Sequence, residues 1–185
     1  SGDNVPDMSG YVKKAPADET ALACSGLGAF DDRKVKTLNG VDLTVRRGEI
    51  VGVAGVEGNG QSELAEVLAG VRRASAGHIT VEGKEMDLSD PAGFIESGVG
   101  YIPSDRNTVG TVPDFPLYEN WLLRSRNYPQ KHGLTDLRAV QAQASQAMAD
   151  FDVRTTGCME RSANLSGGNL QKFILARELK NDPRV

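Results

Sequence analysis

The 185-residue chain has few of the side chains that build metal sites and disulfide frameworks. It contains only two cysteines and two histidines, and Cys24 and Cys158 lie far apart in the sequence. This spacing fits neither a zinc motif nor a disulfide scaffold, and it suits a reducing compartment. His78 and His132 are isolated as well, so structural or surface roles are favoured over metal binding for both.

Long apolar runs and an excess of positive charge are also lacking. No apolar run approaches the roughly 20 residues of a membrane-spanning helix, and the N-terminus carries no visible signal peptide. The formal net charge is -4 and the pI is near 5.3, so the composition does not favour a nucleic-acid partner. With 39% hydrophobic residues and 21 glycines, the sequence predicts one soluble, intracellular α/β domain.

A glycine-rich segment at 55–62 has the spacing of a phosphate-binding loop. Its sequence, GVEGNGQS, fits the Walker A pattern except that Gln61 stands where such loops carry lysine. Glycines let backbone N–H groups turn toward phosphate oxygens, and a following helix would direct its positive end to the same place. The candidate nucleotide-binding residues here are Gly55, Glu57, Gly58, Asn59, Gly60, Gln61, Ser62 and Glu63, with the Ser62 hydroxyl as a candidate Mg²⁺ ligand.

The residues on either side of this segment fit a loop between a strand and a helix. The run 49–54 is short, apolar and rich in β-branched residues, which predicts a buried strand. Helical spacing of apolar residues predicts a helix over 62–69, with Gly70 as its C-cap. A glycine-rich turn that binds no ligand would have the same flanks and stays an alternative, whereas the GxGxxG spacing of dinucleotide-binding folds fits less well.

The remaining pattern divides the chain into a strand-rich half and a helix-rich half. Residues 1–20 lack periodicity and predict a linker or arm. Alternation predicts two or three antiparallel strands over 21–45, broken at 31–34, and further strands at 77–83 and 99–103. A short helix is predicted over 91–97, and apolar residues at intervals of three and four predict helices over 117–124, 134–151 and 169–180.

A second motif, Leu165-Ser166-Gly167-Gly168-Asn169, precedes the last predicted helix. Its serine offers a hydroxyl, its glycines allow close backbone approach, and the helix N-terminus adds positive potential for a phosphate. An ordinary N-cap followed by two flexible glycines is the alternative. A Walker A-like loop followed about a hundred residues later by an LSGGQ-like motif resembles the ATP-binding cassette (ABC) ATPases.

This resemblance implies an α/β fold of the P-loop NTPase class and the ABC ATPase type. An N-terminal antiparallel β part would be followed by a helical part at about 106–168 that carries the signature motif, within a nucleotide-binding domain at 21–185. The resemblance implies that the glycine loop binds ATP and Mg²⁺ on its own core. The signature residues 165–169 would complete the ATP site of a partner cassette.

Three details resemble the second, C-terminal cassette of the tandem ATPases that energise sugar and nucleoside importers. The first is the segment 52–64, which resembles especially the nucleoside branch. The LSGGN signature is followed by Gln171 and Lys172, and Tyr101–Arg106 resembles the group's YIPEDR motif. Ser104 replaces the acidic residue of that motif, at the position of the Q-loop glutamine of other ABC ATPases. The resemblance implies that the domain is incomplete at its C-terminal end, before Walker B. No catalytic residue is therefore assigned.

The function that follows is that of an ATP-binding domain at the cytoplasmic face of the cell membrane. Its expected partners are another cassette on the same polypeptide, transmembrane permease subunits and, indirectly, a substrate-binding protein, with no nucleic acid. Gln61 lacks the lysine charge, so we expect a degenerate Walker A site and hydrolysis mainly at the partner's site. A nucleotide-independent interaction or regulatory module that retains the cassette fold is the second hypothesis, and ABC proteins of translation or DNA repair are disfavoured.

Phe30 and the segment 109–121 each allow two interpretations. Phe30 is the aromatic of the early strand region, where family cassettes stack an aromatic on adenine, but an ordinary core role is equally compatible. The segment 109–121 resembles the region that contacts the membrane subunit. Its aromatics fit an interface, although core packing explains Leu117 and Trp121 equally well.

Overall fold

The computed structural model describes residues 16–125 and 128–185. Its strands are β1 (Thr20–Phe30), β2 (Lys36–Arg46), β3 (Ala76–Val81), β4 (Lys84–Glu85), β5 (Gln130–Lys131) and β6 (Leu134–Thr135). The first four form an antiparallel sheet in the order β2-β1-β3-β4, and the last two form a separate hairpin. Most of the predicted arm at 1–20 lies outside the described residues, so that boundary stays a prediction.

Helices follow the glycine loop and dominate the second half of the chain. They are α1 (Gln61–Leu68), α2 (Pro91–Glu96), α3 (Leu117–Leu122), α4 (Leu137–Asp150) and α5 (Gly167–Leu179), with a 3₁₀ turn at Ser162–Asn164 before α5. Each predicted helix is confirmed with its ends moved by a few residues. The largest shift is at α4, because 134–135 pair as β6 in a hairpin whose turn residues His132 and Gly133 have φ of 53° and 78°. None of the described helices is long and apolar enough to cross a membrane.

The hairpin between β1 and β2 explains the predicted break at 31–34. The Asp31 N–H donates to the Val35 carbonyl oxygen at 2.9 Å, and the Val35 N–H donates to Asp31 Oδ1 at 2.8 Å. Because the Val35 N–H binds the charged carboxylate, the pKa of Asp31 is lowered. The connection is therefore a tight, closed turn at one end of the sheet.

Two apolar clusters form the interior. The first lies between the sheet and the helices α1 and α2, and Phe94 and Leu27 are among its largest buried side chains. The second joins α3, α4 and α5 around Leu117 and Phe173. The glycine loop belongs to the first part and the signature motif to the second, so the two predicted motifs lie on different packing units.

A buried ion cluster joins the two parts. Arg177 Nε donates to Glu178 Oε1 at 3.0 Å, and Arg124 Nη2 donates to Glu178 Oε2 at 3.3 Å. The same Oε2 accepts the backbone N–H of Tyr101 at 3.3 Å, in the segment that leads to Ser104. Arg177 and Glu178 are both almost fully buried, so their charges depend on these contacts. The cluster connects α5 to the segment before the Q-loop position.

The predicted buried strand at 49–54 is wrong. Residues 50–56 form no strand, and the residues Ile50 and Val53 are 97% and 56% exposed. A strand that is buried on both faces needs neighbours on both edges to complete its hydrogen-bond ladder. Neither sheet in the described part of the chain includes a strand that pairs with 50–56, so the apolar run stays extended and open.

The predicted strand at 99–103 is also wrong as a full strand. The Gly100 N–H donates to the Val185 carbonyl oxygen at 2.9 Å, and the Arg184 N–H donates to the Gly98 oxygen at 2.8 Å. This pairing is too short to extend to Ile102, which is exposed. Val99 and Pro103, at the two ends of the predicted strand, are buried.

Candidate functional site

The glycine loop ends in a backbone conformation that only glycine adopts readily. Gly58 and Gly60 have φ of 86° and 95°, in the left-handed region. A Cβ on Gly60 would also lie 2.9 Å from the carbonyl oxygen of Thr37, so the loop rests closely on β2. Gly60 is the N-cap of α1 and provides no side-chain cap. The first N–H groups of α1 therefore keep their capacity to bind an external acceptor.

The Gln61 side chain folds back across this loop. Its Nε2 donates to the Val56 carbonyl oxygen at 3.0 Å. A Cβ on Gly55 would lie 2.1 Å from the same nitrogen, so the amide occupies the space between Gly55 and the start of α1. A lysine at this position would place a full charge here, whereas glutamine offers only neutral N–H donors. The loop thus combines left-handed glycines and an uncapped helix start with a neutral amide that lies across it.

The other loop residues point outward or line the helix start. Glu57, Asn59 and Ser62 are exposed, and the Asn59 N–H donates to the Val56 oxygen at 3.2 Å. Glu63 lies in the first turn of α1 and is partly buried. Among residues 16–125 and 128–185, no group of three or more His, Cys, Asp or Glu side chains could hold a metal ion. Ser62 lies in the first turn of α1 and is exposed, and its role as a Mg²⁺ ligand stays a prediction.

Phe30 is the last residue of β1. It pairs in register with Lys36, and the next residue, Thr37, is the one whose carbonyl contacts the Gly60 position. The Phe30 side chain is 45% exposed, so the core interpretation is wrong. Thr37 Oγ1 is buried and has no hydrogen-bond partner within the described ranges.

The signature segment caps the last helix. Ser166 is the N-cap of α5, and its Oγ accepts hydrogen bonds from the Asn169 N–H at 3.4 Å and from Asn169 Nδ2 at 3.0 Å. Asn169 Oδ1 in turn accepts the Arg154 N–H at 3.0 Å. A Cβ on Gly168 would meet no atom within 4 Å, so an external group can approach the backbone closely there. The Ser166 N-cap is confirmed, and a binding role of the two glycines stays a prediction. Leu165 supports the turn by packing against the helical cluster.

Ser104 lies beside the signature helix. With Arg106, Gln171 and Ile174 it lines a cavity of about 210 Å³. Arg106 Nη1 donates to the Gly167 carbonyl oxygen at 3.1 Å and lies 3.3 Å from Gln171 Oε1. The segment at the Q-loop position is therefore bonded to the first turn of the signature helix. The structure brings Ser104 and the signature together on one side, and Phe30 and the glycine loop together on another.

The segment 109–121 divides between surface and core. Val109, Val112 and Phe115 are exposed, whereas Leu117 and Trp121 are buried in the helical cluster. Asn120 is fully buried and holds the backbone of Val112 by two hydrogen bonds. Its Oδ1 accepts the Val112 N–H at 2.8 Å, and its Nδ2 donates to the Val112 oxygen at 3.0 Å. Core packing thus accounts for the last two apolar residues, and an apolar surface remains at the first three.

The family model described as ABC transporter matches residues 38–185, which is most of the chain. This chain belongs to the ABC transporter family. Similar family members include the glucose import ATP-binding protein TsgD13 of Haloferax volcanii, 45% identical over 169 residues, and the guanosine import ATP-binding protein NupO of Bacillus subtilis, 41% identical over 165 residues. These matches cover 89% and 88% of the chain but 31% and 32% of the relatives. The chain thus spans about a third of the length of the curated relatives it matches.

Solved ABC cassettes share the fold. A dimeric cassette in a post-hydrolysis state, bound to ADP and phosphate, matches with a TM-score of 0.66 and 17% identity over 88% of this chain and 70% of its own. A nucleotide-free cassette from an ABC transporter matches with a TM-score of 0.64 and 20% identity over 89% of this chain and 66% of its own. These similarities confirm the predicted α/β fold of the ABC ATPase type.

Three residues of this ABC domain escaped the sequence prediction. Arg72 contacts the backbone of Phe30, Thr37 supports Gly60, and Arg106 contacts the signature helix. Arg106 lies within the YIPSDR segment, so that motif could have marked it. Arg72 and Thr37 have no motif around them, and their roles depend on contacts between residues far apart in the sequence.

Proposed function

We propose that this chain is the ATP-binding domain of an importer for a simple sugar or a nucleoside. It binds ATP with Mg²⁺ at the glycine loop and pairs with a second cassette. Closure of the pair around nucleotide moves transmembrane permease subunits at the cytoplasmic face of the membrane. The proposal is supported by family membership and by the names of relatives such as TsgD13 and NupO, which import glucose and guanosine.

The observation that carries nucleotide binding is the start of α1. Gly60 gives the helix no side-chain cap, and the loop that leads into it turns twice through left-handed glycines. Free N–H groups and the helix dipole together favour an anion at this point. Phe30 ends β1 and is 45% exposed, and we propose that a purine stacks on it. The residues present therefore fit ATP.

Magnesium would bind at the same loop. The Ser62 hydroxyl is exposed in the first turn of α1, where it can give one oxygen ligand while phosphate oxygens and water complete the coordination. When bound, the ion would offset the negative charge of the phosphates. The residue that this chain itself contributes to the ion is Ser62.

Gln61 makes this site weaker than a lysine-bearing loop. Replacing one charge-assisted contact by a neutral hydrogen bond costs about 1.5–3 kcal/mol, which is about one to two decades in affinity. Its amide must also leave the Val56 oxygen or share it before phosphate occupies the loop. We propose that turnover occurs mainly at the site that this chain's Ser166, Gly167 and Gly168 complete on the partner cassette.

One observation favours a second candidate function. Because the Gln61 amide already fills the loop, the domain is able to keep the cassette fold without nucleotide and act as an interaction or regulatory module. The two functions differ in one measurable property, which is binding of MgATP by the purified chain.

Calorimetric titration of the chain with MgATP tests the proposal. We expect a dissociation constant in the micromolar to submillimolar range. The variant Gly60→Ala should lower the affinity more than about tenfold, because its Cβ meets Thr37 and its φ is unfavourable. Gly133→Ala is the matched control: its φ is 78°, but its Cβ would meet no atom within 4 Å and it lies on the distant hairpin. Absence of heat up to millimolar MgATP would favour the module instead.

A further inference from the structure

Arg72 bridges three elements around the base end of the proposed nucleotide site. Its Nη1 donates to the Phe30 carbonyl oxygen at 3.0 Å and lies 2.9 Å from Asp32 Oδ1. Its Nε donates to Glu66 Oε2 at 2.6 Å. Phe30 ends β1, Asp32 lies in the hairpin turn, and Glu66 belongs to α1. One guanidinium therefore ties the aromatic to the helix that starts at the glycine loop.

The bridge is sheltered from solvent at its helix end. The side chains of Arg72 and Glu66 are 20% and 17% exposed, so water competes with their ion pair less than at an open surface. Arginine suits the position because its planar group offers N–H donors along several edges at once. A lysine ammonium has the same charge, but it cannot reach the three acceptors in this fixed arrangement.

The Phe30 end of β1 is held at a second point as well. Phe30 pairs with Lys36, and the adjacent Thr37 carbonyl rests against Gly60. The strand end and the phosphate loop thus meet through Thr37 on one side and through Arg72 and α1 on the other. Two fixed points define the distance between a base stacked on Phe30 and phosphates bound at the loop.

We infer that Arg72 is a positioning residue that fixes Phe30 for the nucleotide base, without touching the nucleotide itself. This inference rests on the proposed function, in which Phe30 stacks on the base. Loss of the bridge should leave the phosphate loop intact and free the strand end to move. The affinity for ATP should then fall, while the affinity for a ligand that has phosphates but no base should not change.

The test compares ATP with inorganic tripolyphosphate, both with Mg²⁺, by calorimetric titration of the purified chain. Stacking of one base on an aromatic contributes enough affinity that its partial loss in Arg72→Ala should weaken ATP binding about three- to tenfold. Tripolyphosphate should bind wild type and variant equally. In Phe30→Ala the Arg72→Ala change should add no further loss, because both act on one contact.

Arg73→Ala is the matched control, since it removes the same charge from the exposed neighbouring position. Thermal unfolding of each variant checks that the fold persists. Arg72→Lys, which keeps the charge and the aliphatic stem, is the second variant if Arg72→Ala does not fold. It should show a smaller loss that is again selective for ATP.

Three results would overturn the inference. Equal weakening of ATP and tripolyphosphate would mean that Arg72 supports the loop as a whole. Additive losses in the double variant would mean that Arg72 does not act through Phe30, and wild-type behaviour of Arg72→Ala would mean that the bridge has no effect on binding. If the wild-type chain binds neither ligand, the proposed function fails first and the inference fails with it.

Discussion

The Gln61 side-chain amide donates to the carbonyl oxygen of Val56 at 3.0 Å, across the loop in which phosphates are proposed to bind. The contact closes the loop with a neutral group at the position where a Walker A lysine would supply a cation. Gln61 therefore differs from a Walker A lysine in two ways. Its amide carries no charge, and it also occupies space in the loop. Restoring the cation is therefore the most direct test of the loop.

We predict that Gln61→Lys strengthens MgATP binding by about ten- to a hundredfold, from a charge-assisted contact worth about 1.5–3 kcal/mol. Calorimetric titration at low and high salt measures it, and the gain should shrink at high salt. Gln143→Lys, at an exposed position on α4, is the control for the added charge. An equal gain in both variants would indicate general attraction and no specific loop contact.

A second prediction concerns the signature. Ser166→Arg places a long cation at the N-cap of α5 and removes the oxygen that accepts from Asn169. In the assembled cassette pair we expect the ATPase rate to fall more than about tenfold, because the partner's phosphate loses a preorganised surface. Ser145→Arg, at an exposed position of α4, is the control. An unchanged ATPase rate in Ser166→Arg would mean that the signature does not contribute to the proposed ATP site of the partner cassette.

A third prediction concerns the buried ion cluster. Glu178→Ala leaves Arg177 without its partner in a nearly water-free position, where the loss of one member of a pair costs about 3–5 kcal/mol of unfolding free energy. Burial also lowers the pKa of Arg177, whereas the adjacent Glu178 carboxylate acts in the opposite direction and favours the charged form. Urea unfolding measures the change. Glu85→Ala, at an exposed strand position, should cost less than about 1 kcal/mol.

A fourth prediction concerns acid stability. Glu160 Oε2 accepts from the Thr155 hydroxyl at 2.6 Å and the Thr156 N–H at 2.7 Å, and these bonds lower the pKa of Glu160 below its ordinary 4.5. Its stabilising contribution is complete above about pH 4.5 and is lost as the pH falls through the lower folded-state pKa. The melting temperature of Glu160→Gln should therefore lie below that of wild type at pH 7 and approach it in acid.

Asp114→Asn, at a side chain that is 88% exposed, is the control for this pH series. Its melting temperature should follow that of wild type over the whole range. A constant difference between wild type and Glu160→Gln at every pH would mean that the variant acts through packing and that ionisation of Glu160 has no part in it.

Local pattern predicted what depends on neighbours in the sequence. The β1–β2 hairpin and its break at 31–34 follow from alternation and from Asp31, and the helix start at Ser166 follows from capping chemistry. The strand at 49–54 was wrong because a buried strand depends on partners that its own residues do not encode. Periodicity could not connect the glycine loop with the distant signature motif. The resemblance to ABC ATPases made that connection.

The candidate site divides in the same way. The glycine loop and the signature are contiguous motifs, so the sequence alone could locate them. Arg72 reaches Phe30 across 42 positions, and Arg106 reaches Gly167 across 61. Contacts of this kind depend on the folded arrangement of several elements, and a single arginine in a polar segment does not indicate them.

The open run at 50–56 also determines where the chain exchanges hydrogen with solvent. Residues 50–56 are exposed and belong to no helix or strand, so their amides should take up deuterium within seconds. Amides in the middle of β1, which lies between β2 and β3, should stay protected far longer. The exchange rate of this segment therefore reports whether its backbone has gained new hydrogen bonds. Any strand or nucleotide that orders 50–56 would slow exchange there, and mass spectrometry would record that protection peptide by peptide.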